Sequence, residues 1–139
     1  MESKSLDRAR STHKVLVCGG RDFADAALLD RVLCEVDNHV SIGEIIHGGA
    51  DGADTMAGQW AKRFNIPVTV FKADWSRHGK AAGPRRNEKM LYEGKPDYVV
   101  AFPGGRGTAH MVGIALKAGV HVTRVSANGI TASAILSSE

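Results

Sequence analysis

Pro103-Gly104-Gly105-Arg106-Gly107-Thr108 places three glycines, a guanidinium and a hydroxyl in six positions, directly after the apolar run Tyr98 to Phe102. Glycine loses more backbone freedom on folding than any other residue. A cluster of them marks a turn that a side chain would block, or a backbone that something approaches closely. The segment runs into a helical pattern, and a helix start offers free N–H groups and positive dipole character to an anion. One glycine suffices for a strand-to-helix turn of unusual torsion. Three favour a phosphate loop at Gly104, Gly105, Arg106 and Gly107, with Thr108 capping the helix or donating its hydroxyl to the same anion.

Three further stretches carry groups suited to the same chemistry. Gly19-Gly20-Arg21-Asp22 and Gly48-Gly49-Ala50-Asp51-Gly52-Ala53-Asp54 each follow an apolar run. Asp51 and Asp54 suit capping and dipole compensation of a following helix, and a carboxylate there also accepts sugar hydroxyls. Arg85-Arg86 opens another helix, where a guanidinium matches phosphate with two parallel hydrogen bonds, and Arg86 is the stronger candidate of the pair. Trp75 is a candidate to stack on a base; its plainer role is to plug its loop onto the core. His47, His78 and His110 lack the spacing of a metal set, so no metal is expected. His110, just inside a helix, is an acid/base candidate or a surface histidine.

The elements that must position these groups alternate. Strands are expected at Val15–Cys18, Glu44–His47, Pro67–Phe71, Asp97–Phe102 and His121–Val125. Between them, apolar residues recur at helical spacing: Leu28, Leu29, Val32, Leu33 and Val36; Met56, Ala57, Trp60, Ala61 and Phe64; Met90 and Leu91; and Met111, Val112, Ala115 and Leu116. Asp22 or Asp25 caps the first helix, Pro84 fits the first turn of the third, and Lys72 to Gly83 reads as a polar loop. Strands apolar throughout imply a parallel sheet covered on both faces. The expected fold is α/β: a single Rossmann-like, doubly wound domain with a mainly parallel five-stranded sheet in the order 3-2-1-4-5. Residues 1–13 read as a polar leader, 14–126 as the domain and 127–139 as a tail. In such a sheet ligands bind beyond the carboxyl ends of the strands where the order reverses, which brings the loops at Gly19 and Pro103 face to face.

Bulk properties exclude several classes. At 139 residues, 43% hydrophobic and 24% charged, the chain suits one globular domain. Its net charge of +3 is mild, and Lys4, Arg8, Arg10 and Lys14 lie ahead of Val15, which argues against a strong nucleic-acid binder. No apolar stretch reaches membrane-spanning length, and the leader lacks the apolar segment of a secretory signal. Cys18 and Cys34, without close spacing, read as reduced thiols of a cytoplasmic protein. GxxxxGK[ST] and GxGxxG are both absent, so neither a nucleoside triphosphate P-loop nor an NAD site is expected, and no cofactor is.

Taken together, VCGGRDF, HGGADGAD, AGPRRNEKM and FPGGRGTAHM resemble the SLOG superfamily, the Rossmann-like group related to LOG and DprA proteins, and within it the YspA/YpsA-related branch. The resemblance runs from Lys14 to Val125. LOG proteins are similar through PGGxGTxxE, which matches Pro103 to Met111 except at its last position. They cleave the N-glycosidic bond of nucleoside 5′-monophosphates with the phosphate on that loop, and are often dimers. Their catalytic arginine falls on Arg86 and their catalytic glutamate on Met111, which carries no charge and shuttles no proton. DprA proteins, which bind single-stranded DNA, are similar over residues 48–71. The resemblance therefore implies a small nucleotide-derived ligand, either sensed or processed. The ligand contacts are expected among Gly19, Gly20, Arg21, Gly48, Gly49, Asp54, Arg85 and the Gly104–Thr108 loop. If cleavage occurs, Arg86 acts with Asp22 or Asp51 as the replacement acid. The alternatives are LOG-like hydrolysis and a DprA-like nucleic-acid module.

Overall fold

Val15 and Val17 on one side of the first strand, and Leu16 and Cys18 on the other, are all buried, and a strand apolar on both faces needs cover on both. The computed structural model describes residues 12–133 and supplies that cover. Strand β1 (His13–Cys18) leads into helix α1 (Ala26–Val40), β2 (Ile42–His47), α2 (Ala53–Arg63) and β3 (Val68–Val70). A one-turn helix α3 (Trp75–His78), a 3-10 turn (Gly79–Ala81) and α4 (Ala82–Tyr92) follow, then β4 (Tyr98–Ala101), α5 (Arg106–Lys117), β5 (His121–Ser126) and β6 (Gly129–Ser133).

The sheet order is β3-β2-β1-β4-β5-β6. The first five strands pair in parallel and β6 pairs antiparallel to β5. The 3-2-1-4-5 order is the expected one. Register follows the pleat: Val15 sits opposite Ile45 on one flank and Tyr98 on the other. Alternation then divides the core. Val15, Val17, Ile45 and Val100 pack with Leu29, Leu33 and Trp60 of α1 and α2. Leu16, Ile46 and Val99 pack with Met90 and Met111 of α4 and α5. Each fully buried aliphatic side chain contributes roughly 1.5–3 kcal/mol.

Local signals account for the element ends. Asp25, not Asp22, caps α1, its carboxylate accepting from the Leu28 N–H at 3.0 Å. That leaves Asp22 exposed in the loop. Pro84 lies in the first turn of α4, where its missing N–H costs nothing. Two expectations are corrected. The stretch from Lys72 to Gly83 is not a plain loop, since Asp74 caps α3 through the Arg77 N–H. Gly129–Ser133, inside the stretch read as a tail, forms an edge strand. Its Gly-Ile-Thr-Ala-Ser sequence is too short and too polar to stand out by alternation, and pairing with β5 creates it. The rest of that tail, and the leader up to residue 11, lie outside the described residues.

Candidate functional site

The loops leaving β1, β2 and β4 meet at the carboxyl edge of the sheet around a cleft of ≈ 1250 Å³. They are tied together by main chain. The Gly20 N–H donates to the Pro103 carbonyl at 2.8 Å, and the Ala53 N–H donates to the Gly20 carbonyl at 3.3 Å. The expected meeting of the Gly19 and Pro103 loops is thus a hydrogen-bonded one. Close approach explains Gly19, where an added Cβ would lie 2.6 Å from that of Ala53.

The β2 loop is closed by a carboxylate. Oδ2 of Asp54, in the first turn of α2, accepts from the N–H groups of Gly48 at 3.1 Å and Ala50 at 3.2 Å. Asp54 therefore clasps the loop ahead of its helix, whose cap position is Gly52 without a side-chain bond. Burial raises the Asp54 pKa, against the pull of the two amides and the Arg86 guanidinium. The Gly49 N–H donates to Nδ1 of His47 at 3.0 Å. Burial, and then the Arg86 charge, hold His47 below its ordinary pKa. Asp51 stays exposed on the cleft wall, as Asp22 does across from it.

Arg86 is the pivot. Its Nη1 donates to the Gly48 carbonyl at 2.6 Å and its Nε to Asn87 Oδ1 at 3.0 Å. Two anchors fix the plane of the guanidinium, and among the described residues Nη2 has no hydrogen-bond partner. Desolvation lowers the Arg86 pKa first, while the Asp54 charge opposes that shift. Arg85, one residue earlier, is exposed and does not line the cleft.

The β4 loop is different in kind. The cap of α5 is Gly105, with φ −106 and no side-chain hydrogen bond. Thr108 is the third residue of the helix rather than its cap. A Cβ on Gly104 would lie 2.7 Å from the Gly20 nitrogen and 2.9 Å from the Thr108 Cβ, so close packing demands that glycine. Gly105 and Gly107 are not demanded in that way: a Cβ at either would meet nothing within 4 Å. Arg106 is exposed beside them.

Trp75 does not plug the core. It is 50% exposed at the mouth of the cleft, with the Arg21 guanidinium 5.9 Å from its ring centroid. Met111 is fully buried with Leu16, Met90 and Val99, and it does not reach the cleft. The residue before it does. His110 lines the cleft, and its Nδ1 lies 3.1 Å from Nδ2 of Asn87, which also donates to the Gly107 carbonyl at 3.1 Å. Sequence reasoning missed Asn87, Lys72 and Lys80. The two lysines join Arg21, Arg86 and Arg106 on the wall, against the carboxylates of Asp22, Asp51 and Asp54. The thiol of Cys18, at the floor, is pushed up in pKa by burial and then by the Asp54 charge. Among the described residues no group of three His, Cys, Asp or Glu side chains is placed to hold a metal ion, and no helix is long and apolar enough to cross a membrane.

Residues 13–78 match the family described as YAcAr, the YspA, cpYpsA-related SLOG family. The "Gene 61 protein" of Mycobacterium phage D29 is 38% identical over 117 residues, covering 78% of this chain and 93% of that protein. The chain belongs to the YspA/cpYpsA-related SLOG family. DNA processing protein A (DprA) from Streptococcus pneumoniae shares the fold, with a TM-score of 0.66 at 19% identity. That alignment covers 86% of this chain and 52% of DprA, so this SLOG chain spans about half the length of its structural neighbour.

Proposed function

We propose that the cleft binds the phosphate of a nucleotide or nucleotide-derived molecule, and that residues 14–126 serve as a sensing or processing domain for it. One observation carries this reading: the start of α5 has no side-chain cap and opens its bare Gly105–Gly107 backbone into a cleft walled by Arg21, Arg86 and Arg106. Amides that no side chain occupies suit the oxygens of a phosphate, and guanidinium groups complement its charge. Trp75, half exposed at the mouth, offers its ring face to a base.

Binding without cleavage is favoured. At the position matching the LOG glutamate, Met111 points into the core and supplies no carboxylate. Any hydrolysis would have to draw on Asp22 or Asp51, both exposed on the wall.

Calorimetric titration with AMP and with inorganic phosphate tests the reading. AMP is expected to bind. Arg106→Ala is expected to weaken it about tenfold, the worth of one charge-assisted contact, while Arg85→Ala leaves it unchanged. Absence of AMP and phosphate binding at millimolar concentration, or equal effects of the two substitutions, would overturn it.

A further inference from the structure

The amide of Asn87 can be oriented without ambiguity. Its Oδ1 faces Nε of Arg86, which only donates, and its Nδ2 faces the Gly107 carbonyl, which only accepts. Turning the amide over would set donor against donor at one end and acceptor against acceptor at the other. With Nδ2 fixed as a donor, the second group it touches, His110 Nδ1, has to accept. A neutral imidazole that accepts at Nδ1 carries its proton on Nε2.

We propose that Asn87 is a positioning residue that fixes His110 as an Nε2–H donor to the ligand in the cleft. Asn87 is itself held, being only 4% exposed at the junction of α4 and α5. Its other bonds lead to Arg86 and to the Gly105–Gly107 backbone. A buried amide thus sets the orientation of a guanidinium and the protonated nitrogen of an imidazole, and both belong to the same cleft. The ligand chemistry that matches is an oxyanion. Nε2–H, the α5 amides and the free edge of Arg86 are all donors, so the oxygens they meet must accept. The identity of that oxyanion as a phosphate rests on the function proposed above; the state of the ring does not.

Nitrogen NMR of protein labelled with ¹⁵N-histidine reads the two ring nitrogens separately. In mildly alkaline solution without ligand, His110 is expected to show a pyridine-like Nδ1 and a pyrrole-like Nε2. An isolated neutral histidine also prefers this tautomer, so the decisive variant is Asn87→Asp. Its carboxylate only accepts and requires the proton on Nδ1, so the two resonances are expected to exchange character. Should that variant fail to fold, Asn87→Ala takes its place. Without the amide the ring is expected to average between tautomers, and an unchanged pure Nε2–H ring in it overturns the positioning role. An Nδ1–H ring or an averaged mixture in wild type overturns the proposal. Adding AMP is expected to move the Nε2 resonance with Nδ1 unshifted, and His110→Phe, which keeps a ring, is expected to weaken AMP binding about tenfold. An Nδ1 response with Nε2 unmoved would refute the donor role. Failure of AMP to bind wild type at all would remove the nucleotide reading and leave the tautomer result intact.

Discussion

Two glycine-rich loops join a strand to a helix on the same edge of this sheet, and they end differently. In the β2 loop, Gly48 to Gly52, the first three amides are already engaged: Asp54 holds those of Gly48 and Ala50, His47 holds that of Gly49, and Arg86 covers the Gly48 carbonyl. In the β4 loop, no side chain caps the start of α5, and the space above Gly105 and Gly107 is empty. The same composition therefore does two jobs. One loop is a buttress whose leading amides are satisfied from within. The other starts its helix with no side-chain cap, which is what the proposed phosphate site requires. Glycine content alone does not separate them; the carboxylate at the start of the following helix does.

Four substitutions sharpen this contrast, in falling order of their effect on stability. Gly52→Val should be the most damaging. Gly52 has φ +78, and a Cβ there would run into the Gly20 and Arg21 backbone. A loss of about 3 kcal/mol or more is expected in chemical denaturation, from torsion strain plus backbone collision. Next comes Asp54→Ala, which strands two loop amides and removes a charge facing Arg86. It should cost roughly 2–3 kcal/mol, while Asp54→Asn, able to accept at the same oxygen, should recover about half.

His47→Asn preserves an acceptor for the Gly49 amide and deletes a titrating ring. Because the folded pKa of His47 lies below its ordinary 6.5, the unfolded chain binds more protons in the window beneath that value. Wild type should therefore lose stability as pH falls from 6.5 through the lower folded pKa, and the variant's acid limb should be flatter. An identical limb would show that the ring titrates alike in both states.

Gly105→Val should have the smallest effect on folding. With a negative φ and nothing within 4 Å of the new Cβ, the melting temperature should fall by only a few degrees, about 1 kcal/mol. AMP binding is nonetheless expected to be lost, because the branched side chain fills the space above the amides. Unchanged binding would return the β4 loop to the same class as its neighbour.

Much of the architecture was legible in the sequence because the signals were redundant. Val15 to Cys18 is apolar on both faces, Gly19 stops it, and the same pattern recurs at Ile45 and at Val99. The topology follows from such repetition. The short elements escaped because they owe their existence to partners: β6 to β5, and α3 to a single capping carboxylate on Asp74. At the cleft, the arginine that lines it was separable from its neighbour, whereas Asn87 was not. An asparagine among Pro84, Arg85, Arg86, Glu88 and Lys89 looks like solvent-facing helix, and only the packing of α4 against α5 turns it inward. Likewise, Met111 carried a helical apolar stripe, yet the exposure of Leu116 at 51%, five residues later, shows that the stripe narrows before the helix ends.

The hydrogen bond from Gly20 to Pro103 continues the β1–β4 pairing past the point where both strands stop. The bottom of the cleft is thus an extension of the sheet, and it shares the stiffness of the ladder beneath it. On the proposed reading, a ligand settling there would find its donors already in place, and little ordering entropy would be spent on the floor. Whatever adjustment accompanies binding falls to the rim, on the segment from Asp74 to Ala81 that carries Trp75 and Lys80. Amide hydrogen exchange would display the difference directly: slow and ligand-independent at Gly20, fast and ligand-sensitive along that rim.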